Sequence, residues 1–430
     1  MEKAARDRHA DLEAWETALR AAVLSAGAKA MAALLDGIGS GCRETPVICR
    51  CGAKMESRGR KRKELLTILG PVPYRRSVFE CPVCHGTRYP GDEDLDIAGT
   101  TRSPALRRMM ARAGSKSTFK EGSDDLLVYA GIEVSAKDVE RVAEAIGEDI
   151  ENWSSQKRSE IHETPSNVYN LKTVPVLYVS FDGTGVPMTR TELAGRKGKQ
   201  PDGSARTREA KLGCVFTQTT TDKEGFPVRD PDSTTFVGAI ETAEEFGWRI
   251  YKEAYRRGMP NAHRVVVLGD GAEWIKGIVE MHFPNAIQII DLYHTREHVA
   301  SLCKLLCPDD AKNQKKIRDR WWAHLDAGDI PRIIREAEKR LPENAEIREE
   351  CQREINYLSK NRDYMRYAKF RSQGFFVGSG VIEAGCKTVI GQRMKQSGME
   401  WSLRGANAII ALRSITLSNR LDDYWEDRTA

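Results

Sequence analysis

The amino-acid sequence predicts a mixed α/β core preceded by two smaller modules, a β-hairpin held by cysteines and a helix-turn-helix. Three observations predict this fold class. Two cysteine pairs flank strand-like segments within residues 42–100, helical segments separated by a glycine turn fill residues 101–152, and short apolar runs alternate with helical segments from residue 174 onward. The 430 residues allow roughly two to four domains.

Residues 1–41 are expected to form a helix, because apolar side chains such as Leu12, Trp15 and Leu19 recur at helical spacing in an alanine-rich stretch. We interpret it as a packing or dimerisation helix. The chain has no uninterrupted run of about 18 apolar residues. Its first residues also lack an apolar signal core. We therefore expect a cytoplasmic protein with no membrane span.

Residues 42–100 are expected to form a zinc-ribbon-like module. Leu65–Leu69 and Tyr74–Phe79 have the composition of two strands, and Gly70–Pro73 has that of the turn between them. Clustered thiols in a cytosolic chain favour structural Zn²⁺ over disulfides. The four expected ligands are Cys49, Cys51, Cys81 and Cys84. The first pair is one residue shorter than the usual spacing, and His85 is an alternative ligand.

Residues 101–152 have the pattern of a helix-turn-helix that binds DNA. Helices are expected over about 104–113 and 119–130, and the second of them ends at Gly131. A third helix, over residues 136–148, is the expected reader of the major groove. The polar residues that follow it, 153–173, are expected to be a linker.

Basic residues are clustered along the chain, although the net charge is only +5. Such clusters suit DNA, because each phosphate contact releases counterions. A solvated surface is the alternative for each cluster. The clusters are Arg58, Arg60, Lys61, Arg62 and Lys63 in the hairpin module, Lys137 and Arg141 in the third helix, and Arg190, Arg196, Lys197, Lys199, Arg206, Arg208 and Lys211 in the core.

The α/β core is expected to begin at residue 174 and to be divided by a helical region. Its first part spans 174–294, a charged helical region spans 295–375, and the C-terminal helices span 376–430. Apolar runs of strand length mark four buried strands. These strands are expected over Val174–Phe181, Lys211–Thr220, Arg264–Leu268 and Ala286–Ile290.

Two aspartates follow buried strands directly, and each is followed by glycine. These are Asp182 and Asp270, and ligand sites of α/β sheets lie at such carboxyl ends. A buried carboxylate is costly unless it is paired or binds a cation. The alternative is that each aspartate caps a helix or a turn. Two aspartates at equivalent positions favour a shared cation.

A third acid, Glu383, lies in the segment Gly378–Glu383, where Ser379 or Gly380 can cap a helix. A basic helical face with the DNA-contact candidates Lys387, Arg393 and Lys395 follows it. The glycines loosely resemble a dinucleotide-binding loop, but no clear strand precedes them. Asp182, Asp270 and Glu383 together fit phosphoryl transfer with two Mg²⁺ or Mn²⁺ ions, which relieve the repulsion of the carboxylates.

Asp291 ends the last predicted strand, and His294 and His298 follow it at helical spacing. The two histidines share one helix face, a spacing that is also used to bind zinc. A simple histidine pair on a helix face is the alternative. Glu297 is one position away from the metalloprotease motif, which argues against that activity.

These motifs together resemble those of the ISKra family of bacterial insertion-sequence transposases, and more widely those of Mutator-type transposases. The N-terminal cysteine pairs around a hairpin match as well, so the resemblance covers nearly the whole chain. The matching segments are Ser180–Gly185, Arg208–Gly213, Leu268–Ile275, Asp291–His294 and Gly378–Glu383.

The resemblance implies an RNase H-like catalytic core with Asp182, Asp270 and Glu383 as ligands of Mg²⁺. It implies that Asp291 and His294 are a supporting Asp-x-x-His pair, and that residues 295–375 are an all-α insertion. Trp321, Trp322 and Trp401 are candidates to stack on a distorted DNA end, and core packing is the alternative.

The expected function is that of a DNA transposase of the DDE type. The chain would bind the terminal inverted repeats of a mobile element as double-stranded DNA, hydrolyse a phosphodiester and join the end to target DNA. Because two ends must be held together, a homodimer or a larger synaptic assembly is expected. The alternatives are an RNase H-like nuclease without strand transfer and a DNA-binding regulator derived from a transposase. An α/β oxidoreductase or kinase is disfavoured, because no well-placed phosphate loop is present.

Overall fold

The computed structural model describes residues 11–38, 46–163, 173–198, 200 and 203–429. The chain divides into two units, one of Met1–Ile146 with Thr429–Ala430 and one of Gly147–Arg428.

The first unit combines a three-stranded antiparallel sheet with helices. The sheet has the strand order β1-β2-β3. The elements are α1 (Leu12–Ile38), β1 (Glu56–Thr67), β2 (Gly70–Glu80), β3 (Thr87–Arg88), α2 (Pro90–Asp94), α3 (Pro104–Lys116), α4 (Phe119–Asp125) with a π-helical turn (Leu126–Ala130), and the start of α5 (Ala136–Glu163).

The β1–β2 hairpin is confirmed, but its turn is not where the sequence predicted it. Thr67 pairs with Gly70, so the turn is Ile68–Leu69 and the expected turn Gly70–Pro73 belongs to β2. The Thr67 hydroxyl closes this turn by accepting from the Leu69 N–H at 3.0 Å. Proline is tolerated in β2 because β3 pairs only with the far end of that strand, at Phe79–Glu80.

Helix α1 packs one face on the hairpin and exposes the other. Ala28 and Leu35 are buried with Leu65 and Val72 of the hairpin. The stretch Leu12–Gly37 is long and apolar enough to cross a membrane by length and composition alone. The sequence analysis looked for an uninterrupted apolar run, and this stretch is interrupted by charged residues such as Arg20 and Lys29. The expectation of no membrane span stays a prediction. Packing helices can have the same composition.

Three predicted helices of the helix-turn-helix are present with capped ends. Thr118 and Glu121 form a reciprocal capping box at the start of α4, and Gly131 takes the left-handed conformation that ends the π-helical turn. Helix α5 continues to Glu163, so the linker expected over 153–173 is wrong as far as that residue. The remainder, 164–172, lies outside the described residues.

The second unit is a mixed α/β structure with a central mixed sheet. Its strands are β4 (Val174–Pro187), β5 (Thr207–Gln218), β6 (Thr220–Thr221), β7 (Pro227–Val228), β8 (Thr235–Ala239), β9 (Ala262–Gly269) and β10 (Ile287–Ile290). Its helices, besides the end of α5, are α6 (Arg190–Leu193), α7 (Ala243–Arg256), α8 (Glu273–His282), α9 (Leu292–Leu306), α10 (Ala311–Ala327), α11 (Ile330–Glu338), α12 (Ala345–Asn361), α13 (Tyr367–Ser372), α14 (Gly380–Gly385) with a π-helical segment (Cys386–Gly391), α15 (Gln392–Met394), α16 (Leu403–Leu417) and α17 (Leu421–Thr429).

The central sheet has the strand order β10-β9-β4-β5-β8. Strands β10, β9 and β4 run parallel to one another, whereas β5 runs antiparallel to both β4 and β8. All four predicted strands are present, and the sequence analysis missed β8 and helix α7. Because three neighbouring strands are parallel, their carboxyl ends meet at one edge of the sheet.

Helices cover both faces of this sheet. On one face, a side chain at Gly213 would collide with Phe246 and Ile250 of α7. On the other face, α14 approaches so closely that a side chain at Gly385 would collide with Phe236 and Leu212. Consecutive residues of a strand point to opposite faces, so Leu212 and Gly213 mark the two sides.

Candidate active site and metal site

Three aspartates lie at the edge of the central sheet where the parallel strands end. The last pair between β4 and β9 joins Ser180 and Leu268, and Asp182 and Asp270 each lie two residues beyond it. Asp291 follows the pair between Ile290 of β10 and Gly269 of β9. The strand register therefore brings the three expected aspartates to one edge, which we call the carboxylate edge.

Asp182 is electrostatically coupled to the two other acids of the expected triad. Partial burial raises the pKa of its carboxyl, and the negative charges of Asp270 and Glu383 raise it further. The Gly183 N–H donates to its Oδ1 at 2.6 Å, and the Cys386 thiol also hydrogen-bonds to it, both of which oppose the rise in pKa. The carboxylate of Asp182 is thus close enough to those of Asp270 and Glu383 to be repelled by each of them.

Asp270 is held by the turn that follows β9. Its Oδ1 accepts from the Ala272 N–H at 2.8 Å, and the Tyr357 hydroxyl donates to its main-chain oxygen at 2.8 Å. Gly271 has a φ of +85° and lies so close to Ile290 that a side chain would collide with it. A glycine is required here for both reasons.

Asp291 is buried, with 1% of its surface exposed, and it joins the start of α9 to the loop before α14. Its Oδ1 accepts from the His294 N–H at 2.6 Å, and its Oδ2 accepts from the Ser379 N–H. Alongside, the Leu292 N–H donates to the Val377 carbonyl at 2.9 Å. This carboxylate therefore fixes the loop that leads into α14.

Glu383 lies in the first turn of α14 and is exposed. Ser379 donates a long hydrogen bond of 3.4 Å from its hydroxyl to the Glu383 Oε1. The position of this acid thus depends on the loop that Asp291 holds. The helix packs on the sheet beside β4, which brings Glu383 into the electrostatic range of Asp182.

Carboxylate oxygens are the donors that Mg²⁺ prefers, so the chemistry of Asp182, Asp270 and Glu383 fits such an ion. Their oxygens do not form a closed ligand group. Within the described part of the chain, the four cysteines alone have ligand atoms that all lie within 4.8 Å of one another.

His294 belongs to a network of side chains that reaches the carboxylate edge through Tyr357, whose hydroxyl donates to the Asp270 main-chain oxygen. Its Nε2 lies 3.2 Å from the Nε2 of His298, and the Nδ1 of His298 lies 2.6 Å from the Glu354 Oε2. The Tyr357 ring stacks on His298 with a centroid separation of 3.8 Å. The carboxylate of Glu354 thereby orients both imidazoles.

Sequence reasoning missed Ser379 as a partner of Asp291, and it missed Cys386, Glu354 and Tyr357. Cys386 could have been found, because it lies three residues after Glu383 and shares its helix face. Glu354 and Tyr357 carried no signal. They lie in a helix of the charged region, and only the fold brings them to α9.

The four expected zinc ligands meet in the first unit. The sulfurs of Cys49 and Cys84 lie 3.4 Å apart, and those of Cys51 and Cys81 lie 3.5 Å apart. The group could hold a metal ion such as Zn²⁺, for which tetrahedral thiolates about 2.3 Å from the metal are typical. The short Cys-x-Cys pair is accommodated because Gly52 turns with a φ of +86°.

The thiol of Cys81 ionises more readily than a free cysteine. Hydrogen bonds from the backbone N–H groups of Cys84 and Val83 lower the pKa of Cys81 to about 6, despite its burial. The thiolate is the form that binds metal. His85 is exposed and lies 3.6 Å from Glu80, and it is not a member of the group.

Two predicted DNA contacts are wrong. Lys63 is buried, and its Nζ donates to Asp92 at 2.9 Å and to the Ile97 carbonyl at 2.7 Å. Arg393 is fully buried, with its guanidinium 4.9 Å from the ring centroid of Trp401. Both cations are used inside the protein, so neither is free to meet a phosphate.

A third residue of the predicted basic clusters, Lys211, is also buried, and its Nζ lies 2.9 Å from the Glu209 Oε2. Arg208 is half-buried, and the remaining predicted DNA contacts in the described residues are exposed. Some are engaged locally, because Arg58 pairs with Glu80 at 3.2 Å and Lys395 donates to the Thr184 hydroxyl at 2.5 Å. Lys199 lies outside the described residues. The exposed residues are Arg58, Arg60, Lys61, Arg62, Lys137, Arg141, Arg196, Lys197, Lys387 and Lys395.

Two of the three tryptophans proposed for base stacking are core residues. Trp321 is fully buried and donates to Glu336 at 2.9 Å. Trp401 is 5% exposed and donates to the Met394 carbonyl at 3.1 Å. Trp322 is partly exposed, so the packing alternative holds for the first two only.

Comparisons with known proteins give a family model that matches part of the chain, and solved structures with weak similarity to it. The model of an uncharacterised protein family, UPF0236, matches residues 241–424, which include Asp270, Asp291 and Glu383 and do not reach Asp182. A search of curated proteins gives no match. The chain has a weak similarity to the Drosophila P element transposase strand transfer complex, with 9% identity over 77% of this chain and 84% of that chain and a TM-score of 0.24.

Proposed function

We propose that this chain is a DNA transposase of the DDE type, with Asp182, Asp270 and Glu383 as its catalytic acids. The observation that carries the proposal is their placement: Asp182 and Asp270 each lie two residues beyond the last pair of two neighbouring parallel strands, and Glu383 lies in the first turn of the helix that packs beside them. Burial raises the pKa of Asp182, and the charges of Asp270 and Glu383 raise it further. A cluster of repelling carboxylates at the ends of parallel strands is what a cation-dependent phosphoryl-transfer site requires.

The central sheet supports the proposal of an RNase H-like core. Its five strands combine an antiparallel half, β4, β5 and β8, with a parallel half, β4, β9 and β10. The acids lie on two neighbouring strands and on a helix that packs beside them. The helices α9 to α13 lie in the chain between β10 and Glu383, as an all-α insertion would.

Asp182, Asp270 and Glu383 would hold two Mg²⁺ or Mn²⁺ ions. When bound, such ions activate the attacking oxygen and stabilise the leaving oxygen of a phosphodiester. The protein's own contribution is to hold the acids. The turn at Gly271 orients Asp270, Asp291 fixes the loop before Glu383, and the Gly183 N–H and the Cys386 thiol orient Asp182.

The first unit would recognise the element ends. We propose that a zinc ion bound by the four cysteines stiffens the hairpin that carries the exposed Arg60, Lys61 and Arg62, which would contact the DNA backbone. Helix α5 would read the major groove with Arg141. Two ends must meet for joining, so we propose a homodimer or larger assembly, acting on DNA in the cytoplasm.

The test is a cleavage-and-joining assay on labelled duplexes from the DNA that flanks the gene, with Mg²⁺ or Mn²⁺. Wild type should nick an inverted-repeat end and join it to target DNA. Asp182→Asn, Asp270→Asn and Glu383→Gln should each reduce cleavage by roughly 100-fold or more, a loss typical for groups that stabilise developing charge.

The matched control is Glu400→Gln, a neutralisation of an exposed glutamate in the same unit, which should leave cleavage unchanged. DNA binding should persist in all these variants. Full activity in any triad variant would remove that residue from the site. Binding without cleavage would favour the regulator, and cleavage without joining would favour the nuclease.

A further inference from the structure

An exposed aromatic ring lies directly beside the carboxylate edge. Tyr293 is the second residue of α9, two positions after Asp291, and 59% of its surface is exposed. One part of the ring contacts the loop before α14 so closely that a side chain at Gly378 would collide with its Cε2. The ring is thus held in place while much of it faces solvent.

From Tyr293 a row of alternating rings and guanidinium groups leads across α9 and α10. The Arg296 guanidinium lies 5.7 Å from the centroid of the Tyr293 ring and 5.3 Å from that of Trp322. The Arg318 guanidinium lies 4.8 Å from the centroid of the same Trp322 ring. We call these four residues the π strip.

The π strip is fixed by contacts on its inner side. The Arg296 Nη2 donates to both carboxylate oxygens of Asp326, at 2.7 and 3.0 Å, and Asp326 also pairs with Arg371 at 3.2 Å. The Trp322 Nε1 donates to the Arg296 carbonyl at 3.4 Å. A prearranged surface loses little entropy when a ligand stacks on it.

The charge along the strip is balanced, which decides the kind of ligand. Arg296 and Arg371 share Asp326, and Arg318 pairs with Asp319 at 3.1 Å. The exposed Glu297, which lies 3.7 Å from His294, adds a negative charge beside the strip. Lys315, exposed and on the same helix face as Arg318 and Trp322, adds one further positive charge. Stacking, more than phosphate attraction, would drive binding here.

We propose that the π strip binds unpaired nucleotides of the DNA strand that passes the carboxylate edge, with a base stacked on Tyr293. Each base has a π face, so rings interleaved with guanidiniums suit single-stranded DNA without a sequence preference. Paired bases inside a duplex do not offer their faces. The inference rests on the proposed function, because it takes the ligand to be the DNA that the acids would cut.

The test compares binding of a blunt duplex with binding of the same duplex carrying a short single-stranded DNA tail that contains 2-aminopurine. The full chain with Asp270→Asn is used, so that the DNA is not cut while binding is measured. Tyr293→Leu keeps apolar bulk against Gly378 and removes the π face, and it should weaken binding of the tailed duplex by about tenfold. Its affinity for the blunt duplex should not change.

Phe226→Ala is the matched control, because Phe226 is an aromatic residue of the same unit with 53% of its surface exposed, and it should change neither affinity. Tyr293→Phe should retain wild-type binding. Quenching of 2-aminopurine by the Asp270→Asn chain should be lost with Tyr293→Leu. The inference would be overturned if Tyr293→Leu bound the tailed duplex as tightly as its Asp270→Asn parent does. It would also be overturned if the parent bound an RNA tail more tightly than the DNA tail.

Failure of the proposed function has a different signature. A chain that binds the tailed duplex through Tyr293 and never cleaves DNA, with native acids and added cations, would remove the transposase proposal and leave the π strip standing. If Tyr293→Leu changed neither cleavage nor binding of the tailed duplex, the π strip would be ruled out and the transposase proposal would stand.

Discussion

The four-cysteine group and the carboxylate edge differ in how closely the fold brings their ligand atoms together. The cysteine ligand atoms all lie within 4.8 Å of one another, whereas the three acids are near enough to raise the pKa of Asp182 but form no such group. Carboxylates are charged at neutral pH and repel one another.

The two sites also differ in how the chain builds them. The cysteines lie within residues 49–84 and are brought together by the base of one hairpin. The acids come from residues 182–383, and their meeting requires the whole sheet and the clamp at Asp291. We infer that the first is a local site that stabilises the hairpin, while the second depends on the folded core to bring its acids together.

The largest effect should follow removal of a cysteine ligand. Cys81→Ser should abolish zinc binding and unfold the hairpin region, because structural zinc supplies on the order of 10 kcal/mol to small zinc modules. Bound zinc measured by elemental analysis, and thermal unfolding with and without a chelator, check this. Cys307→Ser, a partly buried cysteine outside the group, is the control and should keep its zinc. Zinc retained by Cys81→Ser would show that the cysteines do not form the site.

A smaller effect should follow loss of the clamp. Asp291→Ala frees the loop before Glu383, so cleavage should fall by roughly 10- to 100-fold, as it does when residues that orient metal ligands are lost. Rates measured at saturating DNA check this, with DNA affinity unchanged. The control is Asp222→Ala, which removes an aspartate that also accepts two backbone N–H groups, at 2.9 and 2.8 Å, away from the site. An equal loss in both variants would mean general destabilisation.

The smallest effect should be a gain in stability. The pKa of Asp182 is raised by burial and by its acidic neighbours, so its ionisation opposes folding. Asp182→Asn should therefore stabilise the cation-free chain at pH 7 by about 0.5–2 kcal/mol, the range typical of optimised surface charge. The gain should fade as pH falls through the folded pKa and vanish well below 3.8, where both states are protonated. Denaturant unfolding in a chelator measures it, and a loss of stability at pH 7 would contradict the coupling.

Sequence patterns located most of the elements, because apolar periodicity reports burial. The strand before Asp270 is confirmed, and the cysteine group is where its spacing placed it. The strand predicted to end before Asp182 instead continues through this residue to Pro187, and Asp182 lies where the parallel pairing with β9 ends. The hairpin turn was misplaced because the prolines of Gly70–Pro73 were taken as a turn signal, although an open strand end tolerates them. Helix α5 was ended too early, because its later residues are polar, and polar residues also form helices that pair with neighbours such as Arg249.

Contacts between distant segments could not be predicted. Lys63 and Arg393 carry the same charge as their exposed neighbours, and only the fold shows that Asp92 and Trp401 hold them inside. In the same way, the sequence offered the tryptophans for stacking, while Tyr293 became visible through its position beside Gly378. The sequence shows which residues are basic or aromatic, but only the fold shows which of them are exposed and able to contact DNA.

The most direct test of the carboxylate edge is to measure the binding of Mn²⁺ to the zinc-loaded chain by electron paramagnetic resonance. Wild type should bind the ion, Glu383→Gln should bind it at least about tenfold more weakly, and Glu400→Gln should match wild type. If wild type binds no Mn²⁺, or if Glu383→Gln binds it as tightly as wild type, then the three acids are not a cation site and the proposed chemistry fails.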